Sequence, residues 1–142
     1  MNFAKKLAAV ALLASSLILT GCGQEQIGSV DVDKVMAEAP RVKTLLTEAE
    51  GKIKETEEKF QQDYGDKDLT EEETLKAQME FQRKIEAINQ GYATQIRNRM
   101  DVVIEEISRE KNIDVVISNS ADDRMIFQGA VDVTDDVIKK MQ

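Results

Sequence analysis

Two long segments with a narrow apolar stripe fill the middle of this chain, and they constrain its fold more than any other feature. In the first, from about Pro40 to Asp63, residues that can be buried recur at spacings of three and four, close to a heptad repeat. They are Val42, Leu45, Ala49, Ile53, Thr56 and Phe60, with Ala49 and Thr56 as weak positions. Most residues between them are Glu or Lys, so the remaining helix surface is solvated. We therefore expect a helix that packs against one or two partners and is not the wall of a broad core.

A loop separates this helix from a longer one. Segment 64–70 contains Gly65, which can end a helix, and Thr70 with Glu73 has the spacing of a capping box. The second helix should span 71–111, about 60 Å at 1.5 Å per residue, with Asn112 as its C-terminal stop. Its predicted seam, interrupted once at Gln82, is Leu75, Met79, Ile85, Ile88, Tyr92, Ile96, Met100, Val103 and Ile107. The short loop and the broken register favour an antiparallel coiled-coil hairpin over one long parallel coiled coil with a skip near Gly65.

The residues outside the two long helices have the pattern of short strands. Val30 and Val32 alternate with polar residues in segment 27–33, which predicts a strand. Segments 113–118 and 124–129 are apolar and bounded by polar turns, and they predict two more strands.

Two further helical stretches are predicted from capping signals. Asp33 is a candidate N-cap, so that helices occupy 34–63 with a break at Pro40. Thr134 is a candidate N-cap for a last helix over 134–141, which has acids in its first turn and lysines in its last, as the helix dipole favours.

Together these elements predict an α+β fold in which terminal strands form a small β body and a long helical hairpin protrudes from it. Three short strands bury too little surface to be stable alone. The strands from the two chain ends must therefore meet at the base of the hairpin, and we expect that body to associate with copies of itself. The residues by themselves do not decide between a trimer and a dimer.

The only cysteine, Cys22, closes the N-terminal segment. Lys5 and Lys6 precede an apolar run from Leu7 to Leu19, and small Gly21 stands directly before the cysteine. This order resembles the lipobox of a bacterial lipoprotein, which is cut between its glycine and its cysteine. The run of about 13 residues is shorter than the roughly 20 that a spanning helix needs, which makes an uncleaved anchor the weaker alternative.

By this resemblance, residues 1–21 are a signal peptide and 22–26 are a lipidated tether to the domain 27–142. The expected covalent group is diacylglycerol/palmitate on Cys22, and no other cofactor is expected. Two acyl chains suffice for stable anchoring, at about 0.8 kcal/mol for each buried CH₂. The mature protein should sit on a membrane without crossing it.

Composition argues against several classes of function. The chain has 27 acids against 19 basic residues, so a basic surface able to hold nucleic acid is not expected. It has no histidine and a single cysteine, which argues against disulfides, soft-metal sites and histidine-based catalysis. No grouping of nucleophile, base and orienting residue is visible, so we do not expect an enzyme.

The order of elements resembles the Skp/OmpH family of periplasmic chaperones. The segments that carry the resemblance are Ile27-Gly28-Ser29-Val30-Asp31 with Val35 and Pro40, then Ile113-Asp114-Val115-Val116-Ile117, and the tail Val131-Asp132-Val133-Thr134-Asp135-Asp136-Val137-Ile138-Lys139. The likeness covers almost all of the mature chain. The tail is moderately specific, whereas the coiled-coil middle carries little weight by itself.

The resemblance implies a homotrimer whose strands join into one body, with three hairpins around a cavity. It implies an ATP-independent holdase that binds unfolded outer-membrane and other envelope proteins after export. Phe60, Leu75, Met79 and Phe81 are then candidate client contacts, although helix seam is the plainer interpretation for any one of them. Phe81 lies off the predicted seam and is the better candidate for lining the cavity.

Two features differ from the familiar members of that family. Those members are often basic with positive arm tips, whereas here the tip carries Asp63, Asp66, Asp68, Glu71, Glu72 and Glu73 against Lys67 alone. We interpret these acids as a solvated tip and not as a calcium site, since the spacing lacks the ordered loop of an EF-hand. The second difference is the lipid anchor, because the best-known relatives are soluble in the periplasm.

The lipid anchor predicts a location in the cell envelope, on the periplasmic side of the outer membrane. The outer face of the cytoplasmic membrane is the alternative. An alternative function is a coiled-coil structural or adaptor lipoprotein that binds a folded partner at the arm tips. A plain spacer needs no terminal strands, which favours the chaperone architecture.

Overall fold

Three strands and four helices make up the described part of the chain, residues 25–120 and 128–142 of a computed structural model. In chain order they are β1 (Ile27–Asp31), α1 (Val32–Glu38), α2 (Pro40–Tyr64), α3 (Glu71–Lys111), β2 (Val115–Asn119), β3 (Val131–Asp132) and α4 (Thr134–Lys140). The fold is α+β and mostly helical. The predicted signal peptide 1–21, Cys22 and residues 124–127 of the predicted third strand lie outside the described residues.

The sheet brings the two ends of the chain together. Its order is β2-β1-β3, and both pairings are parallel. Ile27 is in register with Val115, and Gly28 is in register with Val131. The strands therefore meet as expected, and the third strand of the described sheet is Val131–Asp132, which the sequence did not predict as a strand. Residues 128 and 129 form a turn, and the strand that pairs with β1 lies just beyond them.

The first strand ends two residues earlier than predicted. Asp31, and not Asp33, is the N-cap of α1: it has extended backbone angles, and its Oδ1 accepts a hydrogen bond from the Lys34 backbone N–H at 2.9 Å. The alternation of apolar and polar residues continues past Asp31 to Val32, and this alternation predicts a strand longer than the one observed. The earlier cap takes Val32 into the helix, where it packs against the core.

Local capping chemistry sets the ends of the two long helices. Pro40 occupies the first turn of α2, where its missing N–H costs nothing. The predicted capping box of α3 is present, with Thr70 and Glu73 bonded to each other's backbone N–H groups. Asn112 ends α3 in the left-handed conformation, with φ of 52°. The predicted bounds of α3 are confirmed, and α2 ends one residue later than predicted.

A hydrophobic core lies where the long helices meet the sheet. Its largest fully buried side chains are Val30, Val35, Val42, Leu45, Val103, Ile107, Val133, Val137 and Met141. These residues come from both ends of the chain and from the base of both long helices. Gly28 allows close packing here, because a Cβ at that position would lie 3.1 Å from Ile113 Cγ2 and 3.2 Å from Val116 Cγ2. The core thus joins the sheet and the helices into one structure.

Thr134 does not cap the last helix with its side chain as predicted, because its hydroxyl is used elsewhere. The residue is buried, and its Oγ1 accepts a hydrogen bond from the Asp31 backbone N–H at 2.9 Å. The same hydroxyl donates to Asp132 Oδ1 at 2.6 Å, which also accepts from the Thr134 backbone N–H at 2.9 Å. This network fastens the start of α4 to the end of β1.

Candidate binding surface of the long helices

The two long helices lie side by side and run in opposite directions. Next to the loop, the rings of Phe60 on α2 and Phe81 on α3 are 4.8 Å apart between centroids. Tyr64 extends this aromatic cluster, at 5.2 Å from Phe60. Near the sheet, Leu45 of α2 and Ile96 of α3 belong to the same core. Phe81 is therefore part of the helix interface, and the interpretation that placed it off the seam is wrong.

Leu75 and Met79, by contrast, are not in the seam to which the sequence assigned them. Leu75 is 58% exposed and Met79 is 46% exposed, whereas Ala77 between them is buried. The true seam of α3 includes Ala77, Phe81, Ile85, Ile88 and Tyr92, at spacings of four, four, three and four. This path needs no interruption at Gln82. The smoother spacing was a signal in the sequence, but the small Ala77 was overlooked beside two larger apolar residues.

Two grooves run along one side of the helix pair and share Asn89. The outer groove, of about 450 Å³, is formed by α3 alone and is lined by Phe81, Gln82, Ile85, Glu86, Asn89 and Gln90. The inner groove, of about 270 Å³, lies nearer the sheet, and its lining includes Met36, Leu46, Tyr92, Ala93 and Met100. Together they offer a shallow, largely apolar path along the helices. Leu46 falls outside the predicted seam of α2, and the sequence predicts no seam for the short helix that contains Met36, so neither was expected to line a groove.

A third pocket, of about 290 Å³, surrounds the aromatic cluster near the loop. Its rim is charged with both signs, by Lys59, Asp63, Glu80 and Lys84. Lys59 also forms an ion pair of 2.8 Å with Glu55, which bonds to Lys52 at 3.1 Å on its other side. Hydrogen bonds from Lys59 and Lys52 lower the pKa of Glu55 to about 2. These charged side chains are exposed to water, so their ion pairs add little to the free energy of unfolding.

The tip of the helix pair is acidic and mostly unpaired. Within the described ranges, no ion pair under 4.0 Å joins Asp66, Asp68 or Glu71 to a basic side chain. Glu72 pairs with Lys76 at 2.6 Å. Hydrogen bonds from the Thr70 backbone and side chain lower the pKa of Glu73. The tip therefore has an excess of negative charge in water.

The outer face of the sheet is apolar at the end that carries Ile27 and Val115, whereas Ser29, Asp132 and Asn119 lie farther along it. Gly28 and Val30 of β1 point into the core, so Ile27 and Ser29 point to the other face. Residues in register on parallel strands share a face, which places Val115 beside Ile27 and Ile117 beside Ser29. Ile27 is 44% exposed and Val115 is 55% exposed. Both β2 and β3 are edge strands in the described part of the sheet.

Over residues 25–120 and 128–142, no three metal-binding side chains converge on one point. Within the same ranges, no helix combines the length and apolar character needed to cross a bilayer.

Compared with models of known protein families, the chain matches none, and a search of curated proteins finds no matching relative.

Proposed function

We propose that this protein is an ATP-independent holdase chaperone for unfolded envelope proteins, as its likeness to the Skp/OmpH family implies. The observation that carries the proposal is the pair of shallow grooves along the long helices, together with the exposed apolar side chains of Leu46, Leu75 and Met79. A holdase must bind many unrelated unfolded chains weakly and at several points. An extended, open surface with scattered apolar contacts suits that task better than one deep pocket does.

The proposal includes a homotrimer in which each chain contributes an antiparallel coiled-coil hairpin. The exposed outer face of the sheet supports association, because Ile27 and Val115 leave an apolar area where the described residues provide no covering element. The open edge strands support it too, since unpaired backbone groups can be satisfied by a neighbouring copy. Three hairpins held at one body would turn their grooves toward a common space.

The proposal also places the protein on the periplasmic side of the outer membrane, held by lipid on Cys22. This part rests on the sequence of the N-terminal segment. Since β1 begins at Ile27, the tether 22–26 would keep the sheet close to the bilayer and let the helix tips extend away from it.

An aggregation assay tests the holdase. Light scattering of an unfolded outer-membrane β-barrel protein, diluted out of denaturant, should rise more slowly when an equal amount of assembled protein is present. Leu46→Asp places a charge in the inner groove and should weaken the effect, whereas Val102→Asp, at an exposed apolar residue outside the grooves, should not. The molar mass in solution should correspond to three chains.

An oligomer of the expected mass that fails to slow aggregation would rule out the holdase. Cross-linking from Lys67 that captured one folded partner would instead support the adaptor lipoprotein.

A further inference from the structure

One face of α3 carries an exposed apolar pair with an acid one turn before it and a second acid about two turns after it. Its residues are Glu71, Leu75, Met79, Gln82 and Glu86, at spacings of four, four, three and four. This spacing places them on one stripe of the helix, about 22 Å long at 1.5 Å per residue. Leu75 and Met79 are among the most exposed large apolar residues of the described chain. Such a pair, one turn apart, is what an amphipathic segment needs for two anchoring contacts.

The apolar pair of this stripe faces away from α2. Ala77 is buried against α2 and Phe81 contacts Phe60, and each lies two residues from Met79. Two residues correspond to about 200° around a helix, so Met79 lies on the opposite side. Gln82 and Glu86 also line the outer groove, which makes the stripe continuous with it. No described element covers this face, so it is open to a partner.

The charges select the kind of partner. The acids that end the stripe, Glu71 and Glu86, form no ion pair under 4.0 Å within the described ranges. Arg83, one turn beyond Met79 at the edge of the stripe, is outweighed by these two acids together with Asp66 and Asp68 of the neighbouring tip. An apolar segment with basic ends would satisfy both the apolar pair and the acids. A second acidic tip or an anionic lipid surface would be repelled.

We propose that this stripe binds cationic amphipathic segments, in which two apolar side chains one turn apart are flanked on both sides by Lys or Arg. Two apolar side chains would cover Leu75 and Met79 while the flanking cations approach Glu71 and Glu86. This inference rests on the proposed function and gives the chemistry of the client segment that the outer part of the arm prefers.

A pair of labelled peptides tests the inference on the full-length protein by fluorescence anisotropy. One peptide carries two leucines one turn apart, with one lysine one turn before the first leucine and another two turns after the second, and the other peptide replaces every lysine by glutamate. At low salt the cationic peptide should bind about tenfold more tightly. Added salt should reduce this difference, because the charges are exposed.

Two double variants separate the charged and apolar contributions. Glu71→Gln with Glu86→Gln should weaken binding of the cationic peptide about three- to tenfold. Glu57→Gln with Glu58→Gln removes the same charge from exposed sites on α2 and should leave binding unchanged. Leu75→Ser with Met79→Ser should weaken binding at least about tenfold, whereas Val102→Ser should not.

Equal binding of the two peptides, or preferential binding of anionic vesicles, would overturn the inference. So would a variant lacking Glu71 and Glu86 that binds the cationic peptide normally. If the protein slows client aggregation but binds the two peptides equally, the proposed holdase function is supported and the proposed preference for cationic segments is wrong. If the protein binds the cationic peptide selectively but does not slow aggregation, the proposed binding preference of the stripe is supported and the proposed holdase function is wrong.

Discussion

At the scale of single residues, the most consequential side chain is Thr134. It is polar and buried, and its hydroxyl joins Asp31 at the end of β1 to Asp132 in β3. Asp31 in turn caps α1 through Lys34. One hydroxyl thus connects three elements from opposite ends of the chain. The sequence predicts a helix cap at Thr134, because capping is the usual role of a threonine before acids. Its long-range partners are not visible in the sequence.

Replacing Thr134 by Val should therefore destabilise the fold. The change keeps the shape but leaves the Asp31 N–H without its acceptor, at a cost of about 1–3 kcal/mol. Thr134→Ser keeps the hydroxyl and should retain more of the stability. Urea unfolding at a fixed protein concentration measures both variants. A Val variant more stable than the Ser variant would show that the methyl group matters and the hydroxyl does not.

At the scale of elements, the two long helices have a shared weak point. Gly51 of α2 and Gly91 of α3 lie nine and ten residues from the contacting pair Phe60 and Phe81, toward the sheet. Since the helices are antiparallel, the two glycines lie at nearly the same level. Each is a helix-interior glycine, and at each of them a Cβ would meet no atom within 4 Å. The helices are therefore least stabilised by intrinsic propensity at this level.

Gly51→Ala and Gly91→Ala should each stabilise the protein by about 0.5–1 kcal/mol, since alanine loses less backbone entropy in a helix and has room at both sites. The gain should appear as a higher denaturant midpoint and slower amide exchange in the surrounding turns. Gly28→Ala is the matched control, because its Cβ would crowd Ile113 and Val116. Destabilisation by the two helix substitutions would contradict the open space found around them.

The predictable features at this scale are those with local causes. The ends of α3 follow from Thr70, Glu73 and Asn112, whose capping chemistry acts within a few residues. The sequence does not distinguish Asp31 from Asp33 as the cap of α1, because both are good N-cap residues, and the cap at Asp31 goes with the packing of Val32 against the core. The parallel pairing of the strands could not be predicted from the sequence, since it depends on how the two long helices position β2 and β3 relative to β1.

At the scale of the whole molecule, the surfaces proposed to act lie far apart. The apolar sheet face is at one end, the acidic tip is at the other, and the grooves run between them. A lipid at Cys22 would restrain the sheet end only. The same chain can then hold to a membrane, associate with copies and bind clients through separate surfaces, so that each can be tested alone.

Cys22→Ser tests the anchor without touching any described contact. The variant should leave the membrane fraction or accumulate as an uncut precursor, since a hydroxyl is a poor substitute for the thiolate in accepting the lipid. Fractionation and intact mass of the purified protein measure both outcomes. Its aggregation-slowing activity in solution should equal that of the wild type. A Ser variant that is still processed and membrane-bound would contradict the lipobox interpretation.

The central position of β1 has a consequence for how the chain folds. Ile27 pairs with Val115, 88 residues later, and the remaining neighbour of β1 is later still. Each helix can form from local contacts, but the sheet can form only when nearly the whole chain is present. Closing so long a loop also costs conformational entropy. Of the three described strands, β1 is therefore made first and stays unpaired longest. Arrival of the C-terminal strands, and not helix formation, then sets the moment at which the molecule becomes native.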